Sequence, residues 1–173
     1  MLKQKKLRKT RNRKKGSQNK AKNMNPRHLA RSIAMQSLYE WDFNEKKKDL
    51  NLIVEENINN LGAGLEEKDF LLGIISGVLK HIEEIDEIIK QFTPNWSLDR
   101  ISGVDRNILR IGMYELFFEG KEKVSQKIAI NEAVELAKRF GGESSPRFVN
   151  GVLGTAFRKL IEDKEKKVPP QNL

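Results

Sequence analysis

The sequence predicts an all-α fold, a bundle of six or seven helices. Apolar residues recur every three or four positions along most of residues 26–160, which is the period of a helix face. Residues that favour helix starts and glycines that favour helix ends bracket these segments. No segment alternates between apolar and polar residues for long enough to form a sheet strand. Short connections between the helices indicate one compact helical domain.

The composition excludes several classes of protein. The chain has 173 residues, a length typical of one domain. It has no cysteine, which excludes disulfides and thiolate metal sites and is consistent with a reducing cytosol. No apolar run approaches the roughly 20 residues that a membrane span needs. The basic N-terminus lacks the apolar stretch of a secretory signal. We therefore expect a cytoplasmic protein that does not bind membranes.

The positive charge is concentrated at the N-terminus. Residues 1–22 contain 11 of the 33 basic residues and no acidic one, which leaves 22 basic against 24 acidic residues in the rest. Such a charged block cannot bury apolar surface, so we predict a disordered basic tail over residues 1–24. The folded domain is expected at 25–163 and a flexible tail at 164–173. The N-terminal tail is either solubilising or an arm that neutralises phosphates of a nucleic acid.

The first two helices are predicted from their caps and apolar faces. Asn25 precedes Pro26, a combination that favours a helix start because proline at the first position loses no needed N–H. The apolar spacing that follows predicts a helix to about Phe43, with these residues on one face: Ala30, Ile33, Ala34, Leu38 and Trp41. A shorter amphipathic helix is predicted at residues 49–60, ended by the glycines at 62 and 64.

The middle of the chain predicts one long helix or two, starting near residue 66. Apolar residues keep helical spacing through His81 to Phe92, and this spacing leaves both interpretations open. Pro94 ends the segment. Ser97 is then predicted to cap a short turn at residues 98–101.

Three further helices are predicted in the last third. The one that opens at Gly103 is apolar almost all round, so we expect it at the centre of the bundle. Ser125 is predicted to cap the next, and glycines 141 and 142 to close it. Ser145 and Pro146 repeat the cap and proline pattern at the start of the last helix.

Catalytic motifs are not found. His28 and His81 are the only histidines, and neither has a partner at the spacing of a metal site. Phosphate-binding glycine loops are also missing, and the acid pairs, such as Glu83 and Glu84, do not face each other on a helix. We therefore expect neither an enzyme nor a protein with a cofactor or a metal.

Four local strings resemble the NusB family of transcription antitermination factors in their order and spacing. The resemblance covers about residues 26–160. The first string is Leu38-Tyr39-Glu40-Trp41, and the second covers residues 96–116 and begins with Trp96-Ser97-Leu98-Asp99-Arg100. The third covers residues 128–138 and includes Ile130-Asn131-Glu132-Ala133. The fourth is Phe140-Gly141-Gly142 followed by Arg147-Phe148-Val149-Asn150-Gly151-Val152-Leu153.

The resemblance implies a fold of seven helices in two packed sub-bundles and two binding functions. One is binding of single-stranded boxA-like RNA in rRNA transcripts. The other is pairing with the NusE-type small-subunit ribosomal protein, after which the pair joins an RNA polymerase elongation complex. Family members occur as monomers and as homodimers.

The resemblance also implies where RNA binds. The basic cluster of the family falls on Arg27, His28 and Arg31, which the helical pattern places away from the apolar face of the first helix. Arg147 and Phe148 begin the last helix and are the next candidates. Guanidinium groups and aromatic rings hold unpaired bases, and a helix N-terminus favours a phosphate. Packing in the core is the alternative role for Phe148.

Tyr39 and Asp105 are the predicted contacts with the protein partner. Tyrosine is a frequent interface anchor. Asp105 can meet a basic ribosomal protein, or it can stabilise the start of its own helix. Independently of function, Arg106 and Arg110 are expected to pair with nearby acids, and Gly151 is expected to allow close approach of another helix.

The sequence departs from the family pattern in several places. Ser144 and Ser145 follow Glu143 where the family often has an acid, Gly154 stands where aspartate is frequent, and Leu29 lies inside the basic cluster.

Three other functions compete with antitermination. A fragment of an rRNA cytosine methyltransferase is disfavoured because the chain has neither a cofactor domain nor a cysteine. An rRNA-binding ribosome-assembly factor and a helical protein-binding adaptor remain alternatives.

Overall fold

All the regular structure in the described part of the chain is helical. The computed structural model describes residues 25–120 and 125–166. It contains seven α-helices, which confirms the predicted all-α fold, and a short 3₁₀ turn, Leu98–Arg100, between α4 and α5. The helices are α1 Pro26–Phe43, α2 Leu50–Leu61, α3 Lys68–Lys80, α4 Ile82–Phe92, α5 Gly103–Phe117, α6 Gln126–Phe140 and α7 Ser145–Glu165.

The predicted tails are only partly within the described residues. The N-terminal tail at 1–24 lies outside them, as do residues 167–173. α7 continues to Glu165, just past the predicted domain end at 163.

Polar side chains fix the starts of three helices. Asn25 accepts a hydrogen bond from the N–H of Arg27 at 3.0 Å, and Asp49 accepts one from Asn51 at 2.8 Å. Ser102 does the same for the N–H of Asp105 at 3.1 Å. Each bond satisfies a backbone donor that the helix itself leaves unpaired. Ser97 and Ser125 occupy the predicted cap positions, but their side chains form no capping bond.

The long apolar segment in the middle of the chain forms two helices. α3 ends at Lys80 and α4 begins at Ile82, and His81 lies between them with φ −112° and ψ 18°. The imidazole of His81 stacks on the ring of Phe118 with 4.3 Å between centroids, and its Nδ1 lies 3.0 Å from Oε1 of Glu84. This residue therefore has a packing role.

The described chain divides into two compact units, with the boundary between Leu72 and Gly73 inside α3. In the first unit α1 packs on α2. Asn57 of α2 donates to the hydroxyl of Ser37 at 3.1 Å, inside a core formed largely by these apolar residues: Ile33, Ala34, Leu38, Trp41, Leu50, Ile53 and Val54.

An ammonium group joins the two helices at the surface of the first unit. Lys48 donates to Glu56 at 2.8 Å and to Glu40 at 3.3 Å, and these bonds raise the pKa of Lys48. The neighbouring turn contains two consecutive non-glycine residues with positive φ, Glu45 at 54° and Lys46 at 61°. This left-handed conformation costs an L-residue roughly 1–2 kcal/mol.

In the second unit α5 packs against α4, α6 and α7, which confirms its predicted central position. Its side chains are buried on almost every side, including Ile108, Leu109, Ile111, Met113 and Leu116. Burying such a side chain contributes about 1.5–3 kcal/mol. The centre of this unit therefore rests on a helix with little solvent-exposed face.

A buried ion pair connects α4 to α5. Arg110 is 2% exposed, and its Nε and Nη2 donate to the two carboxylate oxygens of Asp86 at 2.8 and 2.9 Å. The carboxamide of Asn107 accepts a third bond from Arg110 at 3.1 Å and itself donates to the carbonyl of Gly103. Arg110 was predicted to pair with a nearby acid, and its partner Asp86 lies 24 residues earlier in the chain. Removing one member of such a pair generally costs about 3–5 kcal/mol.

Two glycines permit close helix contacts in the second unit. A Cβ on Gly112 would lie 2.7 Å from a methyl of Leu153, and a Cβ on Gly77 would overlap the ring of Tyr114. Burial also raises the pKa of the Tyr114 phenol. The expected close approach at Gly151 was wrong, because this residue is exposed and no atom lies within 4 Å of where its Cβ would be.

We predict that Gly77→Ala and Gly73→Ala change stability in opposite directions. Gly77→Ala forces the Tyr114 ring to move and should lower the free energy of unfolding by about 1–3 kcal/mol. Gly73→Ala, in the same helix, meets no atom within 4 Å and should raise it by about 0.5–1 kcal/mol. Urea denaturation followed by circular dichroism measures both. Equal effects in the two variants would contradict the close contact with Tyr114.

Candidate nucleic-acid interface

The first candidate surface lies at the start of α1 in the first unit. Arg27 is exposed and His28 is half-buried. The Arg27 guanidinium lies 4.8 Å from the centre of the Phe70 ring, and its Nε is 3.6 Å from Oε1 of Glu67. A guanidinium over an aromatic face is a favourable pair.

Arg31 does not occupy the exposed position that the helical pattern predicted. It is 2% exposed, and its guanidinium lies 4.9 Å from the centre of the same Phe70 ring. The pattern failed because α1 buries a continuous run, from Leu29 to Met35, and not a single stripe. The long stem of arginine tolerates this burial when its charged end finds partners.

Phe70 is the residue that sequence reasoning missed in this surface. It is half-buried on α3 and lies under two guanidinium groups. It lies in the segment starting near residue 66, for which the apolar spacing predicted only helix. No local signal could have found this role, because Phe70 is far from Arg27 and Arg31 along the chain.

The second candidate surface lies in the second unit, at the start of α7. Arg147 is exposed, and no ion-pair partner for it exists among residues 25–120 and 125–166. Phe148 is half-buried, and its ring centroid lies 6.4 Å from that of Trp96, with a tilt of 51°. Phe148 is therefore neither fully in the core nor fully exposed.

The N-terminus of α7 differs from the predicted cap. The hydroxyl of Ser145 accepts from the N–H of Gly142 at 2.9 Å, and the Ser145 N–H donates to the Gly142 carbonyl at 3.1 Å. Pro146 has no N–H. Two backbone donors of the first turn are thus occupied or missing, so an anion at this helix start would depend mainly on the side chain of Arg147.

A groove of about 380 Å³ lies beside these residues. It is lined by Phe92, Ser144, Arg147, Phe148, Gly151 and Val152. A second hollow of about 600 Å³ lies on the connection between α4 and α5 and is lined by Lys90 and residues 93–99, including Trp96. Lys90 donates to Glu87 at 2.6 Å, which raises the pKa of Lys90.

Trp96 is the residue that sequence reasoning passed over in this surface. It stood within the string at residues 96–100 without a role, and the structure leaves it 54% exposed. Trp96 comes close to Phe148 only when the second unit folds. The one indication of a binding role in the sequence is therefore that a tryptophan stands in a polar connection.

The predicted contacts with a protein partner differ in accessibility. Tyr39 is half-buried and stacks on Phe43, with ring centroids 5.9 Å apart and Phe43 73% exposed. Asp105 is 9% exposed, in the first turn of α5, and its Oδ1 has no hydrogen-bond partner in the described chain. The position of Asp105 agrees with the alternative role of stabilising its own helix.

Neither a cluster of metal ligands nor a membrane-spanning helix occurs in the described ranges. Within residues 25–120 and 125–166, no group of three or more histidines, cysteines, aspartates or glutamates could hold a metal ion. No helix in the same ranges is both long and apolar enough to span a membrane.

The chain is similar to known proteins over most of its length. The model of the NusB family matches residues 28–158. A transcription antitermination protein NusB from Chloroflexus aggregans is 39% identical over 139 residues, which are 80% of this chain and 91% of the relative. The structure of T. maritima NusB has a TM-score of 0.68 and 34% identity, covering 79% of this chain and 93% of that one.

A solved complex is similar as well. A chain in the crystal structure of the antitermination factors NusB and NusE in complex with dsRNA has a TM-score of 0.67 and 30% identity. The match covers 79% of this chain and 98% of that chain.

We predict that Arg31 and Arg27 contribute differently to stability. Arg31→Ala removes a buried stem and should lower the free energy of unfolding by about 2–3 kcal/mol, whereas Arg27→Ala, at an exposed site, should change it by less than about 0.5 kcal/mol. Thermal and urea denaturation of the two variants test this difference. A loss for Arg31→Ala as small as that for Arg27→Ala would show that Arg31 does not hold the first unit together.

Proposed function

The chain belongs to the NusB family, and from that premise we propose that it is a transcription antitermination factor that binds RNA together with a NusE-type ribosomal protein. The similarity to an antitermination protein over 80% of this chain and 91% of the relative carries the proposal. The pair of proteins then joins the RNA polymerase elongation complex and supports rRNA synthesis. In this role the chain is a binding protein of the cytoplasm and not an enzyme.

The proposed ligand is a single strand of boxA-like RNA. Arg27, His28 and Arg31 form the proposed contact surface in the first unit, with Arg31 acting from within through Phe70. Arg147 and Phe148 form the one in the second unit. Both surfaces combine a guanidinium with an aromatic ring, which suits unpaired bases and their phosphates. The related complex of NusB and NusE contains dsRNA, so binding of a duplex is compared with binding of the single strand.

The proposed contacts with the ribosomal protein are Tyr39 and Asp105. The stacking of Tyr39 on Phe43 supports its proposed role, because the ring of Phe43 is largely exposed. Aromatic residues contribute much of the binding energy of protein interfaces. Asp105 can contribute only at the edge of a contact, since little of it is exposed. The domain is proposed to span 25–163, flanked by the basic tail at 1–24 and a short C-terminal tail at 164–173.

We expect preferential binding of a boxA-like single strand in fluorescence anisotropy titrations. The full chain is titrated onto this strand, onto a scrambled strand of the same composition and onto the boxA-like strand in a duplex. Each titration is repeated with and without the NusE-type protein at two salt concentrations. The preference should increase with the protein partner and persist at the higher salt, because base contacts depend less on salt than phosphate contacts do.

Other outcomes of this titration would favour the competing functions. Specific RNA binding that the protein partner does not strengthen would favour a ribosome-assembly factor. Equal binding of the two single strands that disappears at higher salt would leave a protein-binding adaptor with a basic tail.

We predict that the basic tail adds nonspecific phosphate contacts. A chain without residues 1–22 loses 11 cations and should bind RNA more weakly, with a shallower dependence of log K on log salt. Each lost phosphate contact should reduce the slope by about 0.7 for a single strand. Circular dichroism checks that the shortened chain keeps its helices. A slope equal to that of the full chain would exclude a role of the tail in RNA binding.

A further inference from the structure

We propose that Trp96, Phe148 and Arg147 form a binding site for one unstacked RNA base and its phosphate, with Gly151 keeping the adjoining groove open. The inference rests on the proposed RNA-binding function and adds two residues, Trp96 and Gly151, to its binding surface. The two rings would hold the base and the guanidinium would hold the phosphate.

The two aromatic rings leave surface for a ligand. Trp96 is 54% exposed, and its ring is tilted by 51° from that of Phe148 at 6.4 Å. At this angle the rings do not cover each other as stacked rings do, so a base can still contact a ring face. Stacking of a base on an aromatic side chain is the main source of affinity in many single-strand binding proteins.

The groove beside Phe148 is lined at position 151 by a residue without a side chain. Gly151 lies on an exposed part of α7, and its missing Cβ would meet no atom within 4 Å. The close packing of α7 on α5 uses a different residue, Leu153, which contacts Gly112. Packing within the described chain therefore does not require glycine at 151, and a large side chain there would add bulk at the groove.

The charges around the groove favour an RNA over an apolar ligand. The groove residues include one cation, Arg147, and no acid. Arg147 forms no ion pair within the described ranges, whereas Arg27 and Arg110 do. Arg147 lines the groove together with Phe148, whose ring centroid lies 6.4 Å from that of Trp96. An exposed arginine near such a pair of rings matches a nucleotide, which joins a flat base to a negative phosphate.

Tryptophan fluorescence of the full chain tests the site directly. The chain has two tryptophans, and Trp41 is 9% exposed, so a ligand on the surface of the second unit should affect mainly Trp96. We expect the boxA-like strand to quench the emission, and Trp96→Phe to abolish most of the quenching while keeping most of the affinity. Trp96→Ala should weaken binding about tenfold in anisotropy titrations, as expected for the loss of one stacked base.

Filling the groove provides an independent test. Gly151→Leu should weaken RNA binding about tenfold without lowering the thermal midpoint, because the leucine side chain would narrow the groove that adjoins the base site while the helix loses a glycine. Thr155→Leu is the matched control, since Thr155 is exposed on the same helix and does not line the groove. This control should bind RNA like the unmodified chain.

The outcomes separate this inference from the proposed function. If the unmodified chain binds the boxA-like strand while Trp96→Ala and Gly151→Leu bind it equally well without quenching, the base site is wrong and the function stands. If these variants bind RNA normally but lose only the effect of the NusE-type protein, the groove is a protein contact and the base site is again wrong. If the unmodified chain binds no RNA, both proposals are wrong.

Discussion

The ion pair between Arg110 and Asp86 holds α4 to α5, and the connection that carries Trp96 runs between these two helices. Arg106 secures the same connection, since its guanidinium donates to the carbonyls of Leu98 and Ile101 at 3.0 and 3.4 Å. At the end of α4, the hydroxyl of Thr93 donates to the carbonyl of Ile89. These buried and half-buried groups thus place an exposed tryptophan beside Phe148, and the second candidate surface depends on them.

The same pair of groups, a guanidinium and an aromatic ring, serves two purposes in this chain. In the first unit Arg31 is buried over Phe70, so the pair contributes to packing. In the second unit Arg147 is exposed and lines a groove with Phe148, so its donors remain accessible to a ligand. Solvent exposure decides which of the two purposes an arginine serves. Water is excluded from the buried charge of Arg31, whereas it competes for the exposed charge of Arg147.

Features that depend on neighbouring residues were predictable, and features that depend on distant contacts were not. The bounds of α1 followed from Asn25, Pro26 and local apolar spacing, and the central position of α5 followed from the apolar residues on almost all of its faces. The burial of Arg31 and the choice of Asp86 as the partner of Arg110 depend on helices far away along the chain. The pairing of Trp96 with Phe148 has the same origin, so the sequence indicated the second surface only through Arg147 and Phe148.

Two glycines inside helices make this chain less stable than it could be. Gly73 and Gly154 lie inside helices with room for a methyl group, and each costs about 1 kcal/mol relative to alanine. Natural selection removes proteins that fall below a threshold of stability and does not drive them to an optimum. Alanine at both positions would therefore give a lineage in a warmer habitat roughly 1–2 kcal/mol of additional stability, a sizeable part of the 5–15 kcal/mol typical of a folded domain. Neither change would occupy the groove beside Phe148, so adaptation to heat and conservation of that surface need not conflict.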